Sequence, residues 1–88
     1  MGNRLFDLTG RRALITGSSQ GIGLALAEGL AAAGAQVVLN GRDTAKLDAA
    51  AARIAGAQTL AFDATDHEAV RAAVDAFEAA GTPIDILV

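Results

Sequence analysis

Apolar positions along the chain alternate between two patterns, short continuous runs and longer stretches with helical spacing. Ala13-Leu14-Ile15-Thr16 is a continuous run, which suits a central parallel strand covered on both faces. After a glycine-rich turn, Ile22, Leu26, Leu30 and Ala33 recur at helical spacing, and Gly34 ends that helix. Gln36-Val37-Val38-Leu39-Asn40 reads as a second strand. Leu47, Ala50, Ala51 and Ile54 then mark one face of a second helix that stops at Gly56. Thr59-Leu60-Ala61-Phe62 predicts a third strand. Val70, Ala73, Val74 and Phe77 predict the inner face of a third helix, closed by Gly81 and Pro83. The last run, Ile84-Asp85-Ile86-Leu87-Val88, begins a fourth strand.

Local chemistry supports these boundaries. Asp43 or Thr44 can cap the second helix, and Thr65-Asp66-His67-Glu68 reads as a capping box with Thr65 at the N-cap and Glu68 reaching back. Strand and helix alternate with short connections, which predicts an α/β fold. Its parallel sheet would have helices on both faces, right-handed crossovers and strand order 3-2-1-4. The fourth strand stops without a turn or polar tail. The expectation is that residues 1–88 are a single domain lacking its later part, an apolar edge being open to further pairing.

Composition narrows the chemistry. The chain has 88 residues, no cysteine, and a formal net charge of −3 with its seven basic residues scattered. Thiolate chemistry and Cys-based zinc sites are therefore excluded, and no basic surface points to nucleic acid. No apolar run approaches the ~18 residues that span a bilayer, and the opening Met1 to Asp7 has no apolar signal core, so a cytoplasmic, membrane-independent protein is expected. His67 stands among Asp66 and Glu68 in the first turn of a helix, where an exposed side chain is expected. No second histidine or carboxylate pair accompanies it as a metal or triad partner.

The distinctive stretch is Thr16-Gly17-Ser18-Ser19-Gln20-Gly21-Ile22-Gly23. It leaves a strand and opens a helix, the setting in which backbone N–H groups and the helix dipole can hold a phosphate. Gly17 permits the sharp exit from the strand, Gly21 lets the backbone approach a pyrophosphate, and Gly23 lets the helix pack close to the strand. Ser18, Ser19 and Gln20 could donate to phosphate oxygens or simply suit the turn. At the end of the second strand, Asn40-Gly41-Arg42 carries no carboxylate for a free ribose 2′-hydroxyl, and the planar fork of Arg42 suits a 2′-phosphate. The alternative is that Arg42 is a solvated loop residue paired with Asp43.

On these residues the chain resembles the N-terminal part of a short-chain dehydrogenase/reductase. The family's Thr-Gly-x-x-x-Gly-x-Gly motif is matched by Thr16, Gly17, Gly21 and Gly23. Within the family, Leu5 to Gly10, Ser19 to Ala25 and Asn40-Gly41-Arg42 are similar to gluconate 5-dehydrogenases. The resemblance implies a Rossmann-type fold, of which these residues are the first half, and nicotinamide-dependent interconversion of an alcohol and a ketone. It implies a sugar acid as one substrate class and a homo-oligomer, while Arg42 and the missing strand-end carboxylate point to NADP ahead of NAD. The candidate cofactor contacts are Gly17, Ser19, Gln20, Gly21, Ile22, Gly23, Arg42, Asp63 and Ala64, and the resemblance implies that Asp63 accepts from the adenine amino group with Ala64 beside it. Asp63 could otherwise cap a turn before the third helix. The family's Asn-Asn-Ala-Gly segment, serine and Tyr-x-x-x-Lys pair are absent; there is no tyrosine, and the one lysine, Lys46, falls on a predicted surface helix. No catalytic residue is assigned, and these residues alone are expected to be inactive. A second reading is a stand-alone nucleotide-binding or interaction module whose open strand pairs with another chain.

Overall fold

The computed structural model describes residues 7–17 and 21–88. Its elements run β1 (Arg12–Ile15), α1 (Gly21–Ala32), β2 (Gln36–Gly41), α2 (Thr44–Ala51), β3 (Gln58–Ala61), α3 (His67–Ala79) and β4 (Ile86–Leu87). The strands form one parallel sheet in the order β3-β2-β1-β4. This is the expected α/β architecture, with β1 and β2 central and β3 and β4 at the edges. The pairing of β1 with β4 extends past β4 itself: Val88 donates its N–H to the Leu14 carbonyl, and the Thr16 N–H donates to the Val88 carbonyl.

The continuous apolar character of β1 and β2 follows from burial on both faces. Ala13, Ile15, Val37 and Leu39 point to one face and join Leu24 and Ala27 of α1, Leu47 and Ala50 of α2, and Ile54 in a single cluster. By strand alternation Leu14, Val38 and Asn40 point to the other face. There α3 lies across the sheet, its Phe77 ring 5.9 Å from the Arg12 guanidinium carbon. That second face is less tightly covered, because α3 has no fully buried residue.

Four local expectations are corrected. The second helix ends at Ala51 rather than at Gly56, so Ile54 joins the core from the turn that follows it. In α1 the buried positions are Leu24 and Ala27, with Leu30 half-buried, whereas Ile22 and Leu26 are exposed. An alanine-rich helix has apolar residues all round, so spacing alone does not select the side that meets the sheet. At the start of α3 the N-cap is Asp66, whose carboxylate accepts from the N–H groups of Glu68 and Ala69 at 3.1 and 3.2 Å. Thr65 is instead held in the preceding turn, donating its N–H and hydroxyl to Asp63 at 2.9 and 2.7 Å. Asp63 outcompetes the helix for Thr65, and the carboxylate one position on takes the cap. Finally, β3 begins one residue earlier than expected, at Gln58. Of the two candidates for capping α2, Asp43 serves, accepting from Ala45 and Lys46.

Candidate cofactor site

Parallel strands all end on one side of the sheet, so the segments following β1, β2 and β3 meet at its carboxyl edge. There Gly17, Asn40, Gly41, Arg42, Phe62, Asp63, Ala64 and Thr65 line an open cleft of about 340 Å³. Of the residues picked from sequence, the cleft unites Gly17, Arg42, Asp63 and Ala64. Gly21, Ile22 and Gly23 form the opening of α1, where Ile22 is 88% exposed. Ser19 and Gln20 lie outside the described residues.

The turn requires glycine at two of its positions. Gly17 and Gly21 have φ of +61° and +64°, in the left-handed region that L side chains rarely adopt. The N–H of Gly17 is donated to the side-chain oxygen of Asn40 at 3.0 Å. Gly17 therefore serves the site as a bend and part of its wall, and that N–H is committed within the protein.

At the rim, Arg42 and Asp63 form an ion pair, Nη1 to Oδ2 at 3.5 Å, with side chains 77% and 44% exposed. Arg42 thus pairs across the cleft with Asp63 rather than with its neighbour Asp43, whose carboxylate caps α2. The two oxygens of Asp63 are divided: Oδ1 accepts from Thr65 and Oδ2 faces Arg42. The Thr65 N–H and then its hydroxyl, with a smaller share from Arg42, hold the Asp63 carboxyl below the usual aspartate range. At neutral pH it is an ionised, acceptor-only group.

The sequence placed neither Asn40 nor Thr65 in the site, Thr65 being read as a helix cap. The readable signal for Asn40 was a polar residue inside an apolar strand, at a position that alternation turns toward the sheet face. Among the described residues no cluster of His, Cys, Asp or Glu could hold a metal ion, and no helix is long and apolar enough to cross a membrane.

A family model for short chain dehydrogenases matches residues 11–88. The chain belongs to the short-chain dehydrogenase family. It is 52% identical to the gluconate 5-dehydrogenase of Gluconobacter oxydans (strain 621H), over 96% of this chain and 34% of that protein. Among solved structures, L-sorbose reductase from Gluconobacter frateurii, complexed with NADPH and L-sorbose, superposes with a TM-score of 0.81. It is 38% identical, over 93% of this chain and 33% of that one. A metagenomic short-chain oxidoreductase in complex with NADP superposes with a TM-score of 0.78 at 38% identity, over 91% and 38% of the two chains. The short-chain dehydrogenase chain described here therefore spans about a third of the length of these relatives. Its sheet order agrees with the Rossmann-type fold the resemblance implied.

Proposed function

We propose that this chain is the cofactor-binding part of an NADP-dependent oxidoreductase that interconverts an alcohol and a ketone, with a sugar acid as its substrate class. The observation that carries the reading is the placement of Arg42 and Asp63 on one cleft with the glycine turn. With their exposed ion pair opened, a guanidinium and an ionised carboxylate there offer a cation for the 2′-phosphate and an acceptor for the adenine amino group. The donor set suits NADP better than NAD, because no carboxylate occupies the end of β2 to take a free ribose 2′-hydroxyl.

In this reading the opening of α1 at Gly21, Ile22 and Gly23 faces the pyrophosphate, Arg42 holds the 2′-phosphate, Asp63 accepts from adenine, and Ala64 lies beside it. Ser19 and Gln20, polar residues inside the glycine motif, donate to phosphate oxygens in this reading. The nicotinamide supplies hydride transfer when bound. The groups that protonate and orient substrate, and the surfaces for subunit assembly, are assigned to segments outside residues 1–88. The sugar-acid reading draws on the 52% identity to a gluconate 5-dehydrogenase, and NADP on the complexes of the two structural relatives. Fluorescence titration of the full-length protein with NADPH and NADH tests the proposal. Saturable binding with NADPH favoured is expected, and no saturable signal with either would overturn it.

A further inference from the structure

Asn40 is the one buried polar residue among those described, 1% exposed at the end of β2. Its carboxamide spans two of the segments that build the cleft. The oxygen accepts from the Gly17 N–H at 3.0 Å, and the nitrogen donates to the carbonyls of Leu60 and Phe62 at 3.1 and 3.0 Å. These partners fix its orientation, because a flipped amide would set N–H against N–H at Gly17 and oxygen against two carbonyls.

The consequence is geometric. Gly17 begins the turn after β1, and Phe62 immediately precedes Asp63 after β3. Neither segment pairs directly with the other, because β2 lies between β1 and β3. The side chain of Asn40 joins them at the level where both leave the sheet. We propose, on the basis of the cofactor reading above, that Asn40 is a positioning residue which sets the separation between the phosphate turn and the adenine wall. A ligand that spans both must match that separation, and a bond on either side of the amide that loosens costs affinity without removing any ligand contact. Burial makes the arrangement stiff, because a buried donor or acceptor without a partner is costly.

Such a role differs from that of Arg42 in what it discriminates. Arg42 reads a group present on NADPH alone, whereas the spacing set by Asn40 serves the adenosine diphosphate portion that NADPH and NADH share. The test is a titration of the full-length protein and its Asn40→Asp variant with both cofactors, reading dissociation constant and stoichiometry separately. Aspartate keeps an oxygen for the Gly17 N–H but turns the contacts to the Leu60 and Phe62 carbonyls from attraction to repulsion. A rise of about tenfold in both dissociation constants, with one site per chain retained, is expected, as follows from the loss of two hydrogen bonds. Unchanged dissociation constants, or fewer competent sites with the remaining ones at normal affinity, would overturn the inference and leave Asn40 a purely structural residue. If Asn40→Asp does not fold, Asn40→Ser, which keeps a shorter polar group, carries the same measurement. Amide hydrogen exchange in the unsubstituted protein adds an arm that needs no variant. Slow exchange at Gly17 supports the bond to Asn40, and exchange at the rate of a solvated loop refutes it. No binding of either cofactor by the unsubstituted protein would overturn the proposed function itself, a result distinct from normal binding by the variant.

Discussion

Arg42 and Asp63 stand 3.5 Å apart across the mouth of the cleft, so the cation proposed for the 2′-phosphate and the anion proposed for adenine are paired with each other. Arg42 is largely solvated and Asp63 partly so, and a pair this open to solvent contributes little to folding. It can therefore open at small cost. For Arg42→Ala the expected result is at least a tenfold weakening of NADPH binding, because a charge-assisted contact to phosphate is lost. NADH binding should change less than about threefold and thermal stability very little. Equal losses for the two cofactors, measured by fluorescence titration, would remove Arg42 from the 2′-phosphate.

The Asp63 carboxyl should titrate below 3.8, its ordinary value, chiefly because of the two Thr65 donors. A depressed native pKa contributes stability that is present above the unfolded value and is lost as pH falls through the native one. The contribution of Asp63 should accordingly disappear below pH 3.8, between its unfolded and native values. Thr65→Val removes the hydroxyl donor and should raise the Asp63 pKa toward 3.8. Carboxyl-carbon NMR titration reads both, and an unmoved pKa in the variant would show that the hydroxyl is not a cause.

The cap of α3 separates two neighbouring residues that sequence patterns confuse. Asp66→Ala should cost about 1 kcal/mol of stability by loss of the N-cap. Glu68→Ala should cost less than about 0.5 kcal/mol, since the cap is complete without a capping box. Urea unfolding of the two variants decides the matter. A larger loss for Glu68→Ala would reinstate the box.

Leu39 is fully buried in the cluster beneath α1 and α2. Leu39→Ala should destabilise by about 2 to 5 kcal/mol through lost burial and the cavity left behind. A loss under about 1 kcal/mol in chemical denaturation would mean that the site collapses around the gap.

Much of this fold was readable because its signals agree with one another. Continuous apolar strands, helical spacing and turn residues all place the elements in the same order, and the order then dictates which segments meet at the carboxyl edge. The errors arose where one residue type offered several equivalent solutions. Alanine on every side of α1 hid the face that docks, and adjacent Asp63, Thr65 and Asp66 offered competing local hydrogen bonds before α3. At the cleft, Gly17, Arg42 and Asp63 were legible because their chemistry is unusual at strand ends. The polarity of Asn40 within an apolar strand was visible but its role was not, because that role depends on partners up to 23 residues away in the chain.

The two faces of the sheet are unequally sealed, and this sets the order in which the molecule comes apart. Strands β1 and β2 are gripped by buried residues of α1 and α2, whereas α3 contributes none. Segments with few buried contacts open locally at lower free energy than the core does. In native-state hydrogen exchange, α3 should therefore open as the first cooperative unit while the β1–β2 ladder opens only with global unfolding. The glycine turn springs from the part that opens last, and Asp63 lies between that part and the helix that opens first.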